Sequence, residues 1–199
     1  MSLSPDSKAK FNLRGAQILL VEEGSMALDI LVQILVGFGG KDMMKVQSVA
    51  EAKELLGKAT LDLMVVAASV GDGAGYALVE WIRREGPESN RFVPIVMLAA
   101  HTPQTDVMRA RDSGAHCIIA KPLKPVVLLE RILWVAREQK KFVSCPSYAG
   151  PDRRFRFDGP PAGGPGRRHD DINEDLGEAI APNMSQDMID ALITRKKKS

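Results

Sequence analysis

The sequence predicts an α/β fold, a doubly wound five-stranded parallel sheet followed by a largely disordered C-terminal tail. Two observations carry this. From Ala16 onward, short unbroken apolar runs alternate with longer stretches whose apolar positions recur at helical spacing. After Phe142 the composition changes, and Pro and Gly crowd the stretch from Pro146 to Gly166, which holds too little apolar surface to offset the entropy of ordering it.

The units follow in order. Ile18, Leu19, Leu20 and Val21 form an apolar run suited to a strand covered on both faces. Ser25 is placed to cap a helix with Leu28, Leu31, Val32, Leu35 and Val36 inward, ended by Gly37, Gly39 and Gly40. Val46 to Val49 reads as a strand and Glu51 to Lys58 as a short helix. Leu61 to Ala67 is a second apolar run, followed by a Gly-rich loop from Val70 to Gly75. Tyr76 to Glu85 reads as helix, Pro94 to Leu98 as strand, Gln104 to Ser113 as helix and Cys117 to Ala120 as strand. A closing helix runs from Val126 to about Lys141, with Leu128, Leu129, Ile132, Leu133 and Val135 inward. Five β–α units in this order imply a parallel sheet with helices on both faces, whose functional edge lies at the carboxyl ends of the strands. The expected organisation is a disordered segment over 1–15, a domain over 16–141, a Pro/Gly/Arg-rich linker over 142–182, and a short amphipathic helix with a basic end over 183–199.

Bulk properties narrow the function. The 199 residues are 45% hydrophobic and 26% charged, a globular composition. A formal net charge of +2 does not argue for nucleic acid or membrane, and no DNA or membrane partner is expected. No stretch reaches the length of a membrane span, and the polar N-terminus lacks the apolar core of a signal peptide. Cys117 and Cys145 show neither a CxxC nor a Cys/His ligand spacing, so a cytoplasmic protein with free thiols is expected.

Particular motifs carry a resemblance. Asp62-Leu63-Met64-Val65-Val66-Ala67, the loop to Asp72-Gly73-Ala74-Gly75, Trp81-Ile82-Arg83, and Val93-Pro94-Ile95-Val96-Met97-Leu98-Ala99-Ala100 run without a gap. With Ser113-Gly114-Ala115 and Ala120-Lys121-Pro122-Leu123, they resemble the receiver (response-regulator) family of two-component signalling over about two thirds of the chain. The resemblance implies the flavodoxin-like receiver fold. It also implies a site made of a magnesium-binding acidic pair, an acceptor aspartate, a switching Thr or Ser, an aromatic switch residue and a lysine. Here the acidic pair reads Glu22 and Glu23, and the lysine reads Lys121. The acceptor position is Ala67, the hydroxyl position Ala99 and the aromatic position Ile118. A methyl group cannot attack phosphorus, so the pocket reads as degenerate, with no catalysis and no cofactor. Three alternatives stand beside that reading. Ser69 or Asp72 could accept phosphate from the loop, Glu22 and Glu23 could still hold a metal, or Lys121 simply pairs with one of the two glutamates.

The tail holds two further signals. Ser185-Gln186-Asp187 and Ile189-Asp190-Ala191-Leu192 resemble the N-terminal peptide of the flagellar motor switch protein, which docks on a receiver; Met188 departs from that peptide's usual acidic residue. Met188, Ile189, Leu192 and Ile193 share a helical face suited to helix-in-groove recognition. Two or three turns are too short to be stable without something to pack on. That surface is either a foreign receiver or the chain's own domain; with neither, the segment is a disordered end. Separately, Arg153, Arg154, Arg156, Arg167 and Arg168 interleave with Phe155 and Phe157, a chemistry able to hold phosphates and stack bases. The expected function is therefore a non-phosphorylatable signalling adapter in a bacterial two-component or chemotaxis/motility circuit. Its partners would be a receiver domain, a histidine kinase or a flagellar switch component, with a homodimer as a further option. The alternative is an effector that binds a cyclic dinucleotide through the arginine-rich tail.

Overall fold

The computed structural model of the chain describes residues 13–137, 140–153 and 184–194. Its strands are β1 (Ile18–Val21), β2 (Met43–Val46), β3 (Leu63–Ala67), β4 (Ile95–Ala99), β5 (Cys117–Ala120), β6 (Phe142–Cys145) and β7 (Tyr148–Pro151). Its helices are α1 (Ser25–Gly37), α2 (Val49–Leu56), α3 (Val70–Gly73), α4 (Gly75–Arg84), α5 (Gln104–Ser113), α6 (Pro125–Arg137) and α7 (Gln186–Thr194). β1 to β5 form the expected all-parallel sheet, in the order β2-β1-β3-β4-β5.

Both faces of this sheet are covered, which is why β1, β3, β4 and β5 are apolar without interruption, while the edge strand β2 carries the exposed Lys45. Successive side chains of a strand point to opposite faces, and the core divides accordingly. Leu19, Val21, Met64, Val66, Ile95, Met97 and Ile118 face one layer, shared with α2, α4 and α5. Ile18, Leu20, Leu63, Val65, Val96, Leu98 and Ile119 face the other, shared with α1 and α6.

Local details differ from the sequence reading. Gly24, not Ser25, occupies the cap of α1, and Val36 is exposed while Leu28, Leu31 and Leu35 are buried. β2 lies at 43–46, earlier than expected, because Ser48 caps α2: its hydroxyl accepts the Glu51 amide at 3.2 Å. The Glu51 carboxylate returns the contact by accepting from the Gln47 amide at 3.2 Å.

The largest difference lies after α6. The stretch expected to begin the linker instead forms an antiparallel hairpin, β6–β7, turning at Pro146 and Ser147. It packs on α4 and α5 at the amino-terminal end of β4 and β5. Phe142 meets Phe92 edge-on at 5.0 Å and lies beneath the Arg83 guanidinium at 5.1 Å. The Tyr148 hydroxyl donates to the Pro151 carbonyl at 2.6 Å, and the Arg84 guanidinium donates to the Pro146 carbonyl at 3.0 Å. Two apolar–polar tetrads around a two-residue turn are a recognisable hairpin signal. The surrounding Pro and Gly content obscures it.

Two glycines let the hairpin sit this close. Gly114 closes α5 in the left-handed region at φ 97°, and a Cβ there would meet the Ala149 carbonyl oxygen at 2.7 Å. A Cβ on Gly150 would lie 2.8 Å from the Gly114 Cα and 2.5 Å from the Tyr148 hydroxyl. Gly150→Ala should therefore lift the hairpin, with a loss of about 1–3 kcal/mol as expected for overpacking. Chemical denaturation measures the loss, and faster tryptic cutting at Lys141 reports the lifting. An unchanged midpoint would show that the contact is slack.

Candidate functional site

The parallel register brings the expected pocket together. Ala67 is paired with Leu98, and Ala99 with Ala120, so the carboxyl ends of β1, β3, β4 and β5 line one edge. Glu22 and Glu23 follow β1 there, and Lys121 follows β5. Ala67 and Ala99 are buried, and Glu23 is exposed. Glu22 is buried at 4% exposure, and its Oε2 meets the Lys121 Nζ at 2.6 Å. This matches the simplest of the three alternatives: the lysine is engaged by a glutamate. Its backbone is held as well, since the Lys121 amide donates to the Ala99 carbonyl at 2.8 Å.

The loop after β3 contains a left-handed pair, Gly71 and Asp72, with Asp72 at φ 54°. Ser69 and Asp72 are both exposed there. A Cβ on Gly75 would lie 2.3 Å from the Ala67 carbonyl oxygen, so α4 begins against the end of β3 at a distance only glycine permits. Among the described residues, no group of three His, Cys, Asp or Glu side chains is arranged to hold a metal ion.

Ile118, the sixth predicted pocket residue, lies on β5 and turns into the core layer on the α5 side. Its carbonyl has a different role, because β5 is an edge strand and its outer side meets α7. The Gln186 side-chain amide caps that edge. Its Nε2 donates to the Ile118 carbonyl at 3.1 Å, and its Oε1 accepts from the Ala120 amide at 3.1 Å. One planar amide thus satisfies both groups a sixth strand would have satisfied. Ile189 is fully buried and joins the cluster that contains Val107, Ala110 and Ile118. Met184 packs on the same cluster. Its amide donates to the Thr102 carbonyl at 2.9 Å, and its carbonyl accepts from the Thr102 hydroxyl at 3.3 Å. Asp190 forms an ion pair with Arg131 of α6, and burial is the main reason its carboxyl is raised above the ordinary value. Ser185 caps the helix, accepting from the Met188 amide at 3.4 Å.

One expectation for the tail needs correction. Met188 is 55% exposed and does not share the buried face with Ile189, because that face is turned toward Gln186 and Asp190. The side chains of Leu192 and Ile193 lie outside the described residues. So do Arg154, Arg156, Arg167 and Arg168 and the stretch 154–183 expected as linker. Arg153 is described: it stacks on the Tyr148 ring at 3.5 Å and pairs with Asp112.

The sequence reading missed a second polar centre, beneath the hairpin. Arg83 is buried, yet its Nε donates to the Gly114 carbonyl at 3.0 Å, its Nη1 to the Arg91 carbonyl at 2.6 Å and its Nη2 to the Val93 carbonyl at 2.8 Å. Burial brings its pKa down to about 9. His116 accepts the Ile95 amide on Nδ1 at 3.1 Å, which places the ring proton on Nε2. Burial first, then the nearby Arg83 and Lys140 charges, push its pKa down to about 3. Cys117 is buried beside these strands, its thiol pushed up to about 12 by burial, and neither cysteine is in a disulfide. Among the described residues, no helix is long and apolar enough to cross a membrane.

Comparisons with known proteins agree with the fold. A protein named Regulator of RpoS from Escherichia coli is 27% identical over 132 residues, covering 66% of this chain and 38% of its own length. The Swarming motility regulation protein RssB of Serratia marcescens is 30% identical over 128 residues, covering 64% of this chain and 56% of its own. The chain therefore spans only part of the length of these relatives. Among solved structures, the chemotaxis response regulator CheY4 of Vibrio cholerae superposes with a TM-score of 0.55 at 22% identity, over 60% of this chain and 98% of that one. The receiver domain of a signal transduction histidine kinase from Syntrophus aciditrophicus gives a TM-score of 0.56 at 25% identity, over 66% and 99%. Residues 18–133 match the model of the response regulator receiver domain, and the chain belongs to that family.

Proposed function

We propose that the chain is a non-phosphorylatable receiver that works as a signalling adapter in a bacterial two-component or chemotaxis/motility circuit. It is not an enzyme, and its output is protein docking. The observation that carries this is the acceptor position. Ala67 ends β3 with a methyl group, while the lysine that would meet an incoming phosphoryl group is held by Glu22 at 2.6 Å. Phosphoryl transfer to a receiver requires a nucleophilic carboxylate in line with the phosphorus, supported by a cation. Neither exposed loop residue, Ser69 or Asp72, is on the strand end where those groups converge. Relatives described as acting in swarming motility and chemotaxis support the choice of circuit.

The test is incubation with acetyl phosphate and magnesium, read by intact mass. No gain is expected, and a stoichiometric, acid-labile gain of one phosphate would sink the reading. Ala67→Asp alone should recover little switching, because Ala99 and Ile118 also lack the groups that respond in the resembled family.

A further inference from the structure

α7 covers the outer edge of β5, and its contacts are specific ones. The outer edge of β5 offers an exposed strand's donor and acceptor, and Gln186 occupies both with one side chain. A carboxylate in its place could accept from Ala120 but would turn an oxygen toward the Ile118 carbonyl, so the edge selects an amide. Ile189, three residues on, fills the core layer between β5 and α5, and Asp190 reaches Arg131 on α6. The helix therefore reads three elements at once: a strand edge, an apolar socket and a guanidinium. It is also short, at nine residues, and such a helix has marginal stability without the surface beneath it.

We propose that segment 184–194 is an exchangeable plug on the adapter's docking face, and that a partner binds by displacing it. This rests on the reading of the chain as a docking adapter. The partner's contribution is a helix of the same chemistry: a glutamine, an aliphatic residue three positions on and a carboxylate immediately after. Occupant and competitor cannot sit on β5 together, because both need the Ala120 amide and the Ile118 carbonyl. Residues 154–183 covalently join the plug to the domain, so docking within one chain is favoured by an effective concentration on the order of millimolar. That preference holds the face shut against weak competitors and leaves it open to strong ones. The same displacement frees Met184 from Thr102 and Asp190 from Arg131, making the plug itself available.

The experiment uses full-length protein throughout. The probe is a fluorescein-labelled synthetic peptide with the sequence of residues 184–194. It is titrated against wild type and against Gln186→Ala/Ile189→Ala, which weakens the plug and leaves the face unaltered. Roughly tenfold tighter binding to the variant is expected, if the peptide's own dissociation constant is about a tenth of the tethered concentration. Hydrogen exchange at the Ala120 amide should speed up in the variant and slow again when probe is bound. Amides of β3 and β4 should stay protected, and if they do not, Gln186→Glu replaces the double variant as the deciding chain. Equal probe affinity for the wild-type and opened chains, or an Ala120 amide indifferent to the substitutions, overturns the proposal. Ala120 protection that falls on dilution of the wild type also overturns it, since the plug would then come from a second copy. A phosphate gain in the labelling test would remove the adapter reading while leaving these measurements to stand or fall by themselves.

Discussion

Arg83→Ala should lower folding stability by about 3–5 kcal/mol. Arg83 is 2% exposed, and its guanidinium donates to three backbone carbonyls, those of Gly114, Arg91 and Val93. Removing it leaves three acceptors without their donor in a cavity beneath the hairpin, and each buried acceptor left unsatisfied costs about 1–3 kcal/mol. It also removes the cation that lies 5.1 Å over the Phe142 ring. These losses share one cavity, so they will not sum in full, and water entering it offsets part of the penalty. Lysine should rescue only weakly, because an ammonium is a point charge and cannot fork toward three directions. The midpoint of denaturation by urea, followed by circular dichroism, measures the effect. A loss below about 1 kcal/mol would mean that the three carbonyls find other partners.

Acid should destabilise the domain well above the pH at which its carboxylates titrate, and His116 should account for much of that. The folded ring stays neutral down to about pH 3, whereas an unfolded imidazole takes its proton near 6.5. Between those values the unfolded state binds one proton more than the folded state. Stability is therefore complete above about 6.5 and falls as the pH is lowered toward 3, by about 1.4 kcal/mol per pH unit. The total is on the order of several kcal/mol, a large share of the stability of a small domain. Protonating Nδ1 would break the bond from the Ile95 amide and set a second cation 3.4 Å from Arg83. His116→Gln keeps an acceptor and removes the titration. Its stability should depend less on pH between 6.5 and 4 than that of wild type, by close to one proton. Parallel profiles for the two chains would assign the acid sensitivity elsewhere.

β1, β3, β4 and β5 were legible in the sequence because they are unbroken apolar runs buried in the sheet, such as Leu63–Ala67, whereas the edge strand β2, with its exposed Lys45, was placed too late. The altered pocket was legible for a simpler reason: Ala67 and Ala99 have no functional groups, and no tertiary arrangement can supply them. What the sequence by itself determined, then, is the layered α/β core and the bare methyl groups of Ala67 and Ala99 at the ends of β3 and β4. Only the tertiary structure decided that Glu22, and not Glu23, meets Lys121, because the two differ in burial and not in chemistry. It also decided that Arg83 is interior, since nothing local distinguishes a guanidinium that will find three carbonyls from one that will face water. The position of α7 was decided in the same way. Gln186 meets groups 66 and 68 residues away, and a glutamine in an amphipathic segment reads as solvated until a strand edge is brought to it. Local periodicity records which side chains avoid water. The pairing of polar groups distant in sequence is set by which surfaces the folded chain brings within hydrogen-bonding distance.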